Sequence, residues 1–207
     1  MNILALGVRP RDVEDGCGGT LSLFSGLGHT VFRVAAIGSS AALQNSSYLC
    51  LDFDEETLIE TRESRLRFID LVRHCRADVI LTHYRQDPDP LNALVGRMVN
   101  DIAVMIPIEK LPTPSKPNEK IPVYYGWDPT HGQGFIPTDY VDISGVMEQK
   151  RSLLAQHALE SGNGCMKLAE SSELKARMRG LQCGVSYAEG FVISNDAFRI
   201  PSSRMLP

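Results

Sequence analysis

Residues 3–37 hold a complete strand, helix and strand, and that unit restricts the fold more than any other stretch. Ile3-Leu4-Ala5-Leu6 is a short apolar run ending in Gly7, the pattern of a buried parallel strand. Val8 to Asp15 carries five charges in eight residues; Gly16, Gly18 and Gly19 follow, and Thr20 to Leu27 has a helical pattern. Gly28-His29-Thr30 ends that helix, with His29 a solvated turn residue, and Val31 to Ile37 is the second strand. The unit is therefore a right-handed βαβ crossover. In an open α/β sheet such a start builds a site at the carboxyl end of its first strand. Glycines there let backbone N–H groups at a helix start approach a ligand. The same three glycines also suit plain turn chemistry, and their spacing alone does not separate the two.

The length of 207 residues fits one domain, 1–207, with a sizeable core. A net charge of −4 gives no bulk case for nucleic acid or an anionic membrane. No apolar run reaches the roughly 18 residues of a membrane span. The chain enters a strand at Ile3 without a basic leader, so the expected location is cytoplasmic. Five cysteines at 17, 50, 75, 165 and 183 form neither a disulfide framework nor a C-x-x-C site, which predicts reduced thiols.

Further along, Gly38 to Ser47 is a small-residue connection and Tyr48 to Phe53 a short strand. Thr57 to Cys75 is an amphipathic helix, with Leu58, Leu66, Ile69, Leu71 and Val72 as its apolar positions. Asp78 to Leu81 is a central strand closed by Thr82-His83, and a helix is predicted from about Ala93 to Met105, with Asn92 as a candidate N-cap. Leu111 to Pro122, with four prolines, is a surface connection. Val123 to Trp127 is a strand, and Asp128 to Gly134 a loop exposing His131. Ser144 is a candidate cap for a helix from Val146 to Ala158. Leu174 to Leu181 reads as a short basic helix or turn. The order predicts an α/β fold: a single-domain, mostly parallel Rossmann-like sheet with helices on both faces.

Val8-Arg9-Pro10-Arg11-Asp12-Val13-Glu14-Asp15-Gly16-Cys17-Gly18-Gly19-Thr20-Leu21 resembles the opening motif of the PIG-L/LmbE-like N-deacetylases, roughly A-H-P-D-D-E-x-x-G-C-G-G-T-L. Ala77 to His83 is similar to that family's P-D-V-V-L-T-H strand, Tyr140 to Ser144 to its V-D-I-S, and Tyr187 to Phe191 to its Y-A-E-A-F. Asp87-Pro88-Asp89-Pro90-Leu91-Asn92 falls where the family has D-x-H-x-D-H. His157-Ala158-Leu159-Glu160 keeps half of its H-x-S-Q. The basic helix that the family carries after its second strand has no room in residues 38–47, so part of the usual substrate wall is missing. The resemblance runs from residue 3 to about 191.

The resemblance implies a zinc hydrolase that removes acetyl groups from N-acetylglucosamine-type amides. Carried over by position, the zinc ligands fall on Arg9, Asp12 and Asn92, the base on Arg11 and the acid on Asp89. Only Asp12 is the expected type. Arginine has no lone pair to offer and asparagine only a neutral carbonyl oxygen. A guanidinium at about 5 Å repels a divalent ion by at most about 7 kcal/mol at an effective dielectric of about 20.

Three readings follow. The chain is a pseudoenzyme with a degenerate metal site and no zinc cofactor, Arg9 pairing with Asp12 or Asp89 to fill the cavity. Alternatively, Arg9, Arg11 and the Gly18-Gly19 helix start hold a small anionic or sugar-phosphate ligand. In the third, Asp12, Asp87, Asp89 and Asn92 hold a hard cation such as Mg²⁺ or Ca²⁺ in an altered hydrolase. A homo-oligomer, or a complex with an active paralogue, is compatible with each.

Overall fold

A computed structural model of the protein describes residues 1–38, 48–161 and 164–194, with the backbone alone over 157–161 and 164–167. Residues 39–47, which belong to the connection expected to be too short for the basic helix, and the His157 motif side chains lie outside this description.

The apolar run at the start is β1 (Asn2–Gly7), and the helix after it is α1 (Pro10–Gly26). Next come β2 (Thr30–Ile37), β3 (Tyr48–Phe53), α2 (Arg62–His74), β4 (Val79–His83) and α3 (Pro90–Asp101). The chain ends with β5 (Val123–Trp127), β6 (Asp139–Asp142), α4 (Met147–Ser161), α5 (Gly164–Cys183) and β7 (Ala188–Ile193). The strands form one seven-stranded sheet in the order β3-β2-β1-β4-β5-β7-β6. The first five are parallel; β7 runs antiparallel to β5, and β6 to β7. The expected mostly parallel sheet with helices on both faces is what the chain adopts.

Alternation along β1 builds both layers. Leu4 and Leu6 pack with Phe68 and Val72 of α2 and Val95 and Met98 of α3. Ile3 and Ala5 face Val13, Cys17 and Leu21 of α1, with Trp127 and Phe191. The strand order reverses between β1 and β4, and an open α/β sheet holds its ligands in the crevice at such a point. Among the described residues no helix is long and apolar enough to cross a membrane, and Cys17, Cys50, Cys75 and Cys183 are free thiols.

Four expected boundaries are corrected. The helix expected from Thr20 begins instead at Pro10, because proline at the first helical position is pre-organised for it and the Arg9 N–H is held by the Asp12 carboxylate at 2.8 Å. The N-cap of α3 is Asp89, not Asn92; its Oδ1 accepts from the N–H groups of Leu91 and Asn92. The Ser144 hydroxyl does not cap a helix but donates to Asp142 at 2.6 Å, ahead of a short 3₁₀ turn. The short basic element expected at Leu174–Leu181 is the second half of the long α5, whose apolar period is interrupted by charged residues.

Gly16, Gly18 and Gly19 thus lie inside a helix, not in a turn. A Cβ on Gly16 would stand 2.5–2.6 Å from the indole of Trp127, so the residue is a close-packing position between α1 and β5. Alanine normally favours a helix over glycine by about 1 kcal/mol. Here Gly16→Ala is expected to destabilise, by roughly 1–3 kcal/mol, because the buried indole must shift. Urea unfolding of the two proteins measures it; a stabilised variant would contradict this packing.

Candidate functional site

An open cavity of ≈ 390 Å³ lies over the carboxyl ends of β1 and β4. Arg9, Arg11 and Asp12 reach it from the start of α1, and Asp87, Asp89 and Asn92 from the turn before α3. Pro129, Thr130, His131 and Gln133 of the loop after β5 close the far side with Leu168. The fold therefore collects every polar position carried over from the resemblance except the glycines. Gly18 and Gly19 do not line the cavity. The Gly19 N–H donates to Glu189 Oε1 at 2.9 Å and the Thr20 N–H to Oε2 at 2.7 Å. The expected nest of N–H groups around an anion is corrected to a seat for a buried carboxylate of β7.

Arg9, Arg11 and Asp89 each have a definite partner. The Arg9 guanidinium pairs with Glu55, a partner that no local pattern indicates, rather than with Asp12 or Asp89. Arg11 lies beside Asp12, Nε to Oδ1 at 3.8 Å, with its side chain 42% exposed. Being in the first turn of α1, it reaches the cavity from a helix and not from an extended loop. Asp89 turns its Oδ1 into the α3 cap, so that oxygen already accepts two hydrogen bonds. Asp87 Oδ2 and Asn92 Oδ1 are buried and accept no hydrogen bond among the described residues.

His83, at the end of β4, organises the floor. The Val8 N–H donates to its Nε2 at 2.9 Å, so the neutral ring carries its proton on Nδ1, which faces Asp87 Oδ2 at 3.8 Å. The ring is buried edge-on against Trp127, centroids 4.8 Å apart. Sequence reasoning marks His83 only as the end of a strand; its place at the carboxyl edge of a central strand is the available signal. Asp12 Oδ2 lies 3.9 Å from the same Nε2. Burial lifts the Asp12 carboxyl above its ordinary range; the Arg9 N–H bond and the neighbouring cationic charge oppose that rise without reversing it.

Beneath the far wall lies a group of buried charges that sequence reasoning also misses. Lys175 Nζ donates to Asp15 Oδ2 at 3.1 Å and to the carbonyls of Asp128 and Pro129 at 3.3 and 3.2 Å. Arg179 Nε donates to Asp128 Oδ2 at 2.6 Å. Lys150 Nζ donates to Glu189 Oε1 at 2.6 Å and to the Asp15 carbonyl at 2.7 Å. Burial alone would raise the Asp15 carboxyl, but Lys175 and Lys150 outweigh it and hold the group low. These bonds tie the His131 loop to α5 and α1.

The donor set does not suit zinc. Nε2 of His83 is occupied by the Val8 N–H, Arg9 is held by Glu55, and Asn92 offers an amide. Among the described residues no group of three His, Cys, Asp or Glu side chains is placed to hold a metal ion. At the positions where the resemblance puts zinc ligands, an arginine and an amide do not fit a zinc centre.

No family model matches the sequence. Solved structures do match it. The conserved protein TT1542 from Thermus thermophilus aligns with a TM-score of 0.82 at 23% identity over 99% of each chain. The N,N'-diacetylchitobiose deacetylase from Pyrococcus horikoshii aligns at 0.78 and 19% identity, over 99% of this chain and 88% of that one. GalB, the 4-carboxy-2-hydroxymuconate hydratase from Pseudomonas putida KT2440, aligns at 0.77 and 19%, over 93% of this chain and 96% of that one. The chain has the fold shared by the PIG-L/LmbE-type deacetylase and this hydratase.

The raised Asp12 carboxyl has a consequence for stability. Its folded-state value lies above the unfolded value near 3.8, so its contribution is fully present below that pH and is lost as pH rises through the folded value. The amide of an Asp12→Asn variant still accepts the Arg9 N–H but never ionises. The variant is expected to match the wild type in strong acid and to melt at a higher temperature at neutral pH. Melting curves from acid to neutral pH check this; a variant less stable at neutral pH would show that the Arg11 contact outweighs burial.

Proposed function

We propose that the chain is a PIG-L/LmbE-like, deacetylase-fold pseudoenzyme that lacks zinc-dependent N-deacetylation and binds a small hydroxyl- or amide-bearing ligand. One observation carries the first half: of the three positions where the resemblance puts metal ligands, Arg9 is engaged by Glu55 and Asn92 is an amide, leaving Asp12 alone. No carboxylate or imidazole stands at the Arg11 position to take a proton from an attacking water. Asp89, at the acid position, spends one oxygen on the α3 cap. The second half draws on Asn92 Oδ1 and Asp87 Oδ2, buried acceptors at the cavity wall with no hydrogen-bond donor among the described residues. Such acceptors are costly unless a donor reaches them, and a sugar hydroxyl or an amide N–H is a donor. The cavity volume suits a small molecule. On this reading the chain works in the cytoplasm as a binding subunit, alone or beside an active relative.

A second reading, a phosphate or carboxylate held by Arg9 and Arg11, has one observation in its favour, the half-exposed Arg11 guanidinium at the rim. Against it stand three carboxylates, Asp12, Asp87 and Asp89, lining the same cavity. Melting in graded phosphate separates the readings: a phosphate-dependent rise abolished by Arg11→Ala favours the anion.

Protein purified without chelator is expected to hold far less than one zinc per chain by elemental analysis. It is expected to release no acetate from N-acetylglucosamine-type amides, since general acid–base catalysis alone contributes about 10²–10⁴-fold. One tightly held zinc per chain, or an activity abolished by Asp12→Ala, would overturn the reading.

A further inference from the structure

We propose, building on the reading of the cavity as a ligand site, that its hydroxyl-bearing ligand is also a cation: a small protonated primary amine whose ammonium group binds Asp87 and Asn92.

The charges around the cavity do not balance locally. Arg9 pairs with Glu55, and the Arg11 guanidinium lies beside Asp12. Asp89 is exposed and caps α3. Asp87 is different. It is buried, its side chain 4% exposed, and among the described residues it has no arginine or lysine partner. An aspartate is almost never buried in this way unless it is paired. Its ionisable neighbour is His83, whose Nδ1 stands 3.8 Å from Asp87 Oδ2, too far for a hydrogen bond. Because Nε2 of that ring accepts the Val8 N–H, the ring is neutral and brings no compensating charge.

The turn before α3 brings a second acceptor to the same wall. The Asp89 N–H donates to Asp87 Oδ1 at 2.9 Å, and the Asn92 N–H to Asp89 Oδ1 at 3.2 Å. These bonds fix residues 87–92 and leave Asp87 Oδ2 and Asn92 Oδ1 buried, with no donor among the described residues. Both residues line the cavity. The chemistry of the two oxygens selects the ligand group. An ammonium is a compact charge with three N–H donors, so it can serve both oxygens and neutralise the carboxylate. A hydroxyl has one donor and leaves the carboxylate charge uncompensated. A guanidinium grips a carboxylate best through both oxygens, and Asp87 Oδ1 is already engaged by the Asp89 N–H. An anion would meet the carboxylates of Asp12, Asp87 and Asp89.

The test is a nuclear magnetic resonance titration of the ¹⁵N-labelled full chain at neutral pH and constant ionic strength. The probes are ethanolamine, its neutral isostere ethylene glycol, the neutral amide acetamide, and methylguanidinium. Ethanolamine is expected to shift the amide signals of residues 87–92 saturably. It is expected to bind at least about tenfold more tightly than ethylene glycol, since a charge-assisted hydrogen bond is about twice as strong as a neutral one. Asp87→Asn keeps an acceptor for the Asp89 N–H and removes the charge. It is expected to weaken ethanolamine about tenfold and to leave ethylene glycol unchanged. Circular dichroism melting checks that this variant folds, and the comparison of probes on the wild type decides without it. Ethylene glycol or acetamide binding as tightly as ethanolamine overturns the ammonium and leaves the hydroxyl or amide reading standing. Methylguanidinium binding more tightly than ethanolamine also overturns the ammonium. Ethanolamine shifts that spare residues 87–92 overturn the site. No saturable shift with any probe overturns this inference together with the ligand reading beneath it.

Discussion

The buried pair of Lys150 and Glu189 is the interaction on which the site geometry rests. Lys150 is 0% exposed and Glu189 4%. Taking two such charges from water costs several kcal/mol per ion, offset only where every polar atom is used. Here nearly all are: Glu189 accepts from Lys150, Gly19 and Thr20, and Lys150 donates also to the Asp15 carbonyl. Burial by itself would lower the Lys150 ammonium, and Glu189 with Asp15 more than reverses that. The pair bridges α4, β7 and the middle of α1, at the Asp15–Gly19 step of its ladder. It holds α1 against the antiparallel end of the sheet, and the first turn of that helix carries Arg9, Arg11 and Asp12 to the cavity.

The cavity and the charges beneath it are one construction. Asp15 follows Asp12 by one helical turn and binds Lys175; Lys175 and Arg179 secure the loop that forms the opposite wall. These cations point inward, and the outer face of α5 mixes apolar Leu174, Met178 and Leu181 with charged Glu170 and Arg177.

The same architecture serves a deacetylase from Pyrococcus horikoshii and a hydratase from Pseudomonas putida. A fold used for both leaves the reaction to the side chains at the crevice. In this chain those side chains are guanidinium groups, carboxylates, two amides, a hydroxyl and the His131 imidazole, with the buried His83 imidazole beneath them engaged by a backbone N–H. On the proposed reading, that set recognises a ligand and does not activate a metal-bound water.

By itself the sequence determined the sheet. β1, β2, β4 and β5 are legible as apolar runs because a strand buried on both faces admits little else. Their spacing determined the crossovers, and the resemblance of the stretches after β1 and β4 to known family motifs implied the six polar positions that line the crevice at the starts of α1 and α3. The tertiary structure decided the rest. Arg9 to Asp15 looks like a loop because charges interrupt its apolar pattern, although Pro10 marks a helix start. Gly16 to Gly19 looks like a turn because glycine is a poor helix former, and only packing against Trp127 and Glu189 keeps it helical. α5 hides its period because Lys175 and Arg179 occupy the positions where a periodic reading expects apolar residues. Which partner each guanidinium takes, Glu55 for Arg9 and Asp128 for Arg179, depends on residues distant in the chain. Such pairings arise only when the fold brings the charges together, so no local pattern records them.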